Sequence, residues 1–183
     1  MTDTELYAKA RDFAAKKHAG QLRKGANREP YITHPIEVAK LVSEATGGND
    51  EILIAAAVLH DTIEDTDASY DDLFEEFNRE VADLVAEVTD DTRLPGATRK
   101  ASQIADMPKK SDRAKMIKMA DKISNLRSIR DSPPASWTDE KKRNYIEFSS
   151  SVVNGARDAN ECLAMEFDRI EAELLEQLNG SKP

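Results

Sequence analysis

The chain has 183 residues, enough for one domain with a substantial core. Hydrophobic residues make up 39% and charged residues 33%, with a formal net charge of −9, which disfavours a nucleic-acid or anionic-membrane partner because such a partner needs a basic face. No run approaches the roughly 20 apolar residues of a membrane span, and Met1 to Leu6 lacks the basic and apolar regions of a signal peptide. The acidic balance leaves room for a small anionic ligand held by a metal ion and a few local cations, since charges beyond about 8 Å are screened at physiological salt. Cys162 has no partner cysteine, and a reducing cytoplasm is the simplest compartment.

In chain order, Leu6, Ala10, Phe13 and Ala14 keep helical spacing, and the pattern predicts a helix from Thr4 to His18 stopped by Gly20. Gln21 to Thr33 reads as a loop with Gly25, Asn27, Pro30 and three cations, Arg23, Lys24 and Arg28. His34-Pro35 opens a second helix, with proline in its favoured first turn, and Gly47-Gly48 closes it. A third helix begins near Asp50 and is apolar almost all round, so it is buried on most sides. It runs into His60, Asp61, Glu64 and Asp65. Ser69 followed by Asp72 marks a helix N-cap, and two short amphipathic helices follow, ending near Thr89. Pro95-Gly96 is a breaker. Ala97 to Met107 is a weak helix, and Pro108 to Ser111 a basic loop. Asp112 to Arg130 is a helix with the core stripe Met116, Met119, Ala120, Ile123 and Leu126. From Asp139 a long helical period continues to Leu174, split near Asn154-Gly155. No alternating strand is present, and the expected fold is all-α, one domain over residues 1–183. Its core spans about 6–153, with C-terminal helices over 139–178 and a frayed tail over 179–183. The C-terminal stripe fits burial against its own core or against a second copy, so the oligomeric state stays open.

His60 and Asp61 point about 100° apart on a helix, yet both reach an ion placed over the edge between them. His34, at a helix start after a loop, is the best third ligand. Asp121 is the best fourth, because a carboxylate in the largely apolar stretch Ile117-Lys118-Met119-Ala120-Asp121 should face a cation or a cleft. Two imidazoles and two carboxylates suit a divalent ion such as Mn²⁺, Fe²⁺, Co²⁺ or Zn²⁺. If the helix continues past Asp61, Glu64 and Asp65 each lie one turn beyond a ligand, where one of them can act as general base toward a water at the ion. Asn125 and Ser128 continue a polar stripe from Asp121 and can orient a substrate. The plainer readings are a helix-terminal histidine beside a solvated acid for His60-Asp61, core for Tyr145, and a solvated loop for Arg23-Lys24. His18, beside Gly20 at a helix C-terminus, reads as structural.

The segments His18 to Lys24, Pro30 to Pro35, Leu59 to Thr66, Val88 to Asp90 and Met119 to Arg127 resemble, in order and spacing, the HD-superfamily hydrolase domain of the RelA/SpoT homologues. The likeness is strongest to the stand-alone small alarmone hydrolases, including the metazoan SpoT-homologue type. It covers about Leu6 to Val153. The resemblance implies removal of the 3′-pyrophosphate of (p)ppGpp, giving GDP or GTP and pyrophosphate, with Mn²⁺ preferred. It implies His34, His60, Asp61 and Asp121 as metal ligands and Glu64 and Asp65 as the pair that activates water. It implies Arg23 and Lys24 as the base-stacking and phosphate-balancing cations, and Tyr31, Asn125, Ser128 and Tyr145 as nucleotide-pocket residues. It further implies degradation of alarmone without synthesis, since no synthetase segment follows. One departure is Gly96, where some short members carry a lysine toward the phosphates; Arg93 or Arg99 is the expected substitute. The same cavity could accept (p)ppApp or the 2′-phosphate of NADPH, and a catalytically silent nucleotide-binding HD module is the alternative of another class.

Overall fold

The computed structural model describes residues 4–180, and these are helical apart from their connections. Among them the order is α1 (Glu5–Lys17), α2 (Thr33–Ala45), α3 (Glu51–Leu59), α4 (Thr62–Asp65), α5 (Tyr70–Glu76) and α6 (Arg79–Val88). Then come α7 (Gly96–Asp106), α8 (Asp112–Asp131), α9 (Asp139–Asn154) and α10 (Glu161–Gly180). No strand forms among the described residues; Leu22 and Pro30 make an isolated antiparallel bridge. The all-α expectation is therefore met.

Local chemistry explains most of the boundaries. Thr4 accepts the Tyr7 amide and caps α1, and Ser69 and Asp72 form a reciprocal capping box at α5. Asp50, Asn78, Ser111 and Thr138 cap α3, α6, α8 and α9 in the same way. Gly47 and Gly48 take φ of 65° and 75°, a left-handed conformation that stops α2. Gly155 follows α9, and a short 3₁₀ turn over Arg157–Ala159 leads into α10. Helix α10 continues through Asn179 and Gly180, which were expected to fray; residues 181–183 of that predicted tail lie outside the described residues.

Helix α3 is the centre of the molecule. Leu53 to Leu59 are all buried, and α1, α2, α6 and α8 pack around them. Full burial of Leu53, Ile54, Val58 and Leu59 contributes about 1.5–3 kcal/mol each. Helix α10 covers the outer side of α8 and α9 and reaches α2, burying Leu163, Phe167, Ile170 and Leu174. This C-terminal stripe is thus buried within the chain's own core. The packing holds the C-terminal end of α3, the start of α2 and the middle of α8 against one another, and the candidate site lies where they meet.

Candidate active site

The apolar run of α3 does not continue as one helix through Asp65. It breaks at His60 and Asp61, where Asp61 takes φ −99° and ψ −2°, before the single turn of α4. Local bonds satisfy the break. The Thr62 hydroxyl donates to the Leu59 carbonyl at 2.6 Å, and the His60 Nδ1 lies 2.8 Å from the Ala57 carbonyl. A carbonyl only accepts, so the His60 proton sits on Nδ1. Its Nε2 is left with a lone pair, buried and without a hydrogen-bond partner.

That orphaned nitrogen points into a cluster. His34, on the first turn of α2, places Nε2 3.3 Å from Asp121 Oδ1 and 3.5 Å from Asp61 Oδ2. Asp61 Oδ2 is 3.1 Å from His60 Nε2. Ligand atoms of His34, His60 and Asp121 all fall within 4.8 Å of one another, and all three residues are buried. Buried imidazole and carboxylate atoms converging from three helices fit a divalent cation, which would satisfy the unpartnered Nε2.

The charges are balanced locally. The neighbouring Lys122 turns back on Asp121, its Nζ 3.0 Å from Asp121 Oδ2, and Asn125 Nδ2 donates to Oδ1 at 2.6 Å. Burial opposes the charged form of Asp121, yet the Lys122 ammonium and the imidazoles outweigh it and hold the carboxyl well below the usual range. Burial likewise opposes ionised Asp61, and His60 and His34 in their protonated forms more than reverse it. At His34 burial disfavours charge, while the Asp121 and Asp61 carboxylates prevail and raise its pKa. Tyr31 donates its hydroxyl to Asp61 Oδ2 at 2.6 Å and lies 3.2 Å from Asp65 Oδ2. Burial first, then these two carboxylates, push its phenol far above its ordinary value.

Two cavities lie beside the cluster, the first with His34 on its wall and the second with Lys122, the partner of Asp121. The first, about 580 Å³, is lined by Arg23, Lys24, Tyr31, Asn125, Ser128 and Tyr145, with His34 and Asp65 also on its wall. The structure therefore brings together all six predicted nucleotide-pocket residues, although Tyr145 read as core and Arg23-Lys24 as loop by pattern alone. The loop is shaped for this. Arg23 N–H donates to Glu29 O at 2.8 Å and Tyr31 N–H to Gln21 O at 2.9 Å, so the two ends run side by side. Lys24 is followed by Gly25, where a Cβ would meet Ser132 O at 2.5 Å; only glycine lets the loop approach α8 so closely. Arg23 reaches across to Asn125 Oδ1 at 3.3 Å. His18 is buried, its Nδ1 2.9 Å from Gln21 Oε1, and packs on Tyr31 with ring centroids 4.8 Å apart, while its Nε2 is buried without a hydrogen-bond partner. Sequence reasoning missed Trp137, whose ring is 5.5 Å from Tyr145. A lone tryptophan after Pro133-Pro134 was the available signal.

The second cavity, about 570 Å³, is lined by Glu64, Asp90, Gly96, Arg99, Lys100, Gln103, Lys122 and Phe148. Lys100 and Lys122 hold their ammonium groups 4.9 and 5.1 Å from the Phe148 ring centroid. Arg99 Nη1 is 3.8 Å from Glu64 Oε1. Of the two arginines expected near Gly96, Arg99 lines the cavity. Arg93 instead grips Asp91 with two bonds of 2.8 and 2.9 Å in its own exposed turn. The Asp65 amide donates to the Asp61 carbonyl at 2.9 Å, so Asp65 lies one turn beyond Asp61 as expected, and the two acids, Glu64 and Asp65, part from each other. Glu64 faces the second cavity and accepts the Asp90 amide at 3.2 Å, whereas Asp65 lies on the first. Burial raises the pKa of both, with Asp90 and Asp61 adding to it at Glu64 and Asp61 at Asp65.

Comparison with known proteins agrees with this geometry. The HD domain family model matches residues 10–146. A Xenopus tropicalis protein described as guanosine-3′,5′-bis(diphosphate) 3′-pyrophosphohydrolase MESH1 is 38% identical over 92% of this chain and 94% of its own. The Homo sapiens protein of that description is 42% identical over 82% of this chain and 84% of its own. A solved structure described as a metazoan orthologue of SpoT that hydrolyses ppGpp superposes with a TM-score of 0.90 at 38% identity, covering 94% of this chain and 97% of that one. The chain belongs to the HD domain family and, within it, to the group of MESH1 proteins.

Proposed function

We propose that the chain is a divalent-metal-dependent hydrolase that removes the 3′-pyrophosphate of (p)ppGpp, releasing pyrophosphate and GDP or GTP. The observation that carries this reading is the His34–His60–Asp121 cluster, with His34 on the wall of one cavity and Lys122, paired with Asp121, on the wall of a second of different character. One is walled by aromatic rings and bears Arg23 and Lys24; the other bears Arg99, Lys100 and Lys122. A substrate with a base at one end and phosphates at the other matches both. The relatives' described activity on ppGpp agrees with it.

His34, His60, Asp61 and Asp121 are the residues that would hold the ion, with Mn²⁺ the proposed metal. A divalent ion there supplies Lewis acidity toward a phosphoryl oxygen and neutralises charge. The chain's own groups do the rest. The rings of Tyr145 and Trp137 with the Arg23 guanidinium hold the base, and Lys24, Asn125 and Ser128 hold its sugar and phosphates. One of Glu64 and Asp65 accepts the proton of the attacking water, and burial makes each a stronger base than a surface carboxylate. Water oxygen bonds to the phosphorus, the bond from phosphorus to the 3′ oxygen breaks, and that oxygen leaves with a proton. Arg99, Lys100 and Lys122 balance the charge of the departing pyrophosphate. They take the place of a lysine at position 96.

Initial rates with Mn²⁺ on ppGpp, pppGpp, ppApp and NADPH test the assignment. Turnover of a guanine alarmone with release of pyrophosphate is expected, and absence of turnover on both alarmones overturns it. Asp65→Asn should abolish hydrolysis while leaving Mn²⁺ affinity intact. Retained hydrolysis would remove Asp65 from the proton-accepting role. The single cysteine, Cys162, is free and exposed, and no described helix is long and apolar enough to cross a membrane. Both fit the proposed cytoplasmic setting.

A further inference from the structure

Behind His34 lies a polar arrangement that the mechanism above does not use. The Ser124 hydroxyl, on a fully buried residue of α8, donates to Glu37 Oε2 at 2.6 Å. Glu37 sits one turn after His34 on α2, and Arg127 Nη1 donates to its other oxygen at 2.8 Å. Arg127 is itself held by Glu166 of α10 at 2.5 Å. Ser124 Oγ also lies 2.8 Å from His34 Nδ1 and 3.5 Å from Arg23 Nη1.

A hydroxyl has one proton and two lone pairs. Glu37, a carboxylate bridged by Arg127, can only accept, so the Ser124 proton is committed to it. Toward His34 the serine can then only accept, which fixes a proton on Nδ1 and leaves Nε2, facing Asp121 and Asp61, as the nitrogen available to an ion. The second lone pair of the serine faces the Arg23 guanidinium. All three positions of one hydroxyl are thereby filled, and each is fixed by its neighbour.

From this we infer that Ser124 and Glu37 are positioning residues for the metal centre: they lock His34 in the Nδ1–H tautomer that presents Nε2 to the ion, and they anchor Arg23 on the same hydroxyl. The inference rests on the metal reading above. His60 obtains the same tautomer from a backbone carbonyl, which no side-chain change removes. His34 obtains it from two side chains on different helices, so its tautomer is open to substitution.

Glu37→Gln is the sharpest probe, because it keeps the shape of the side chain and exchanges only one oxygen for an amide nitrogen. Its amide oxygen stays toward Arg127, a donor, and its amide nitrogen turns to Ser124. The serine then receives a bond from residue 37 and gives its proton to His34 Nδ1, which drives the imidazole proton to Nε2 and blocks that atom as a ligand. The measurement is Mn²⁺ affinity of the metal-stripped full chain by calorimetric titration, with no nucleotide present. Wild type should bind Mn²⁺. Glu37→Gln and Ser124→Ala should each bind about 10–100-fold more weakly, as for other residues that orient metal-binding histidines. The metal-free melting temperature of Glu37→Gln should drop by no more than a few degrees, separating the effect from unfolding. In the Zn²⁺-loaded wild type, ¹⁵N spectra should show the His34 proton on Nδ1. Equal Mn²⁺ affinity in wild type and Glu37→Gln, or a His34 proton on Nε2, overturns the positioning role while leaving the metal reading intact. A wild-type chain that binds no divalent ion overturns both.

Discussion

Replacing Lys122 by methionine tests how the metal centre is balanced electrostatically. Methionine keeps the unbranched stem and deletes the ammonium. In the metal-free protein that ammonium lies 3.0 Å from Asp121 Oδ2, and both residues are buried. Removing one partner of a buried pair costs about 3–5 kcal/mol, because the other charge is left uncompensated. Lys122 also borders the second cavity, which admits water, so the lower figure of about 3 kcal/mol applies here. For a chain of this size each kcal/mol moves the melting temperature by about 2–4 °C, so the metal-free variant should melt about 6–12 °C below wild type. A divalent ion bound to Asp121 does for the carboxylate what Lys122 does without it. Saturating Mn²⁺ should therefore raise the melting temperature of Lys122→Met more than that of wild type and narrow the gap. Calorimetric melts in EDTA and in excess Mn²⁺ measure both quantities. A metal-free melting point within about 2 °C of wild type refutes the reasoning, as do equal Mn²⁺ increments in the two proteins.

Gly96→Lys should lower KM for ppGpp and tighten inhibition by pyrophosphate, more so at low salt, since a side chain at Gly96 meets no atom within 4 Å and borders the second cavity; steady-state kinetics at two ionic strengths measures it. Gly25→Ala should weaken nucleotide binding with little change in Mn²⁺ affinity, because its Cβ would sit 2.5 Å from Ser132 O and push Lys24 away from α8; titration with GDP checks this. Glu166→Gln should flatten the acid limb of the stability curve. Hydrogen bonds from Arg169, then Arg127, lower the Glu166 pKa from 4.5 to about 2. Its contribution is therefore complete above the unfolded value and lost as pH falls through that window. Denaturant titrations between neutral pH and pH 2 should show a smaller loss in the variant than in wild type.

The amino-acid sequence by itself determined the helices, because each is specified by information a few residues long. The apolar period that shapes α1 and α10 and the caps at Thr4, Ser69 and Ser111 act through neighbours three or four positions away. The metal-binding candidates were legible for a related reason. A carboxylate at Asp121 inside an apolar helix, and a His-Asp pair ending a buried one, are costly unless something pairs with them.

Only the tertiary structure decided the rest. The break at His60-Asp61 was not legible, since the pattern is as helical there as before it, nor was the presence of a separate cavity on the Glu64 side and on the Asp65 side. The Lys122–Asp121 pair is adjacent in sequence but becomes a compensating pair only once α8 is buried. Ser124 meets His34 across 90 positions and Glu37 across 87, and nothing in the spacing of either announces the contact. Such bonds depend on how α2 and α8 are docked. That docking is set by nondirectional burial around α3, which fixes the helices in place without encoding, in any local stretch, which polar groups will meet.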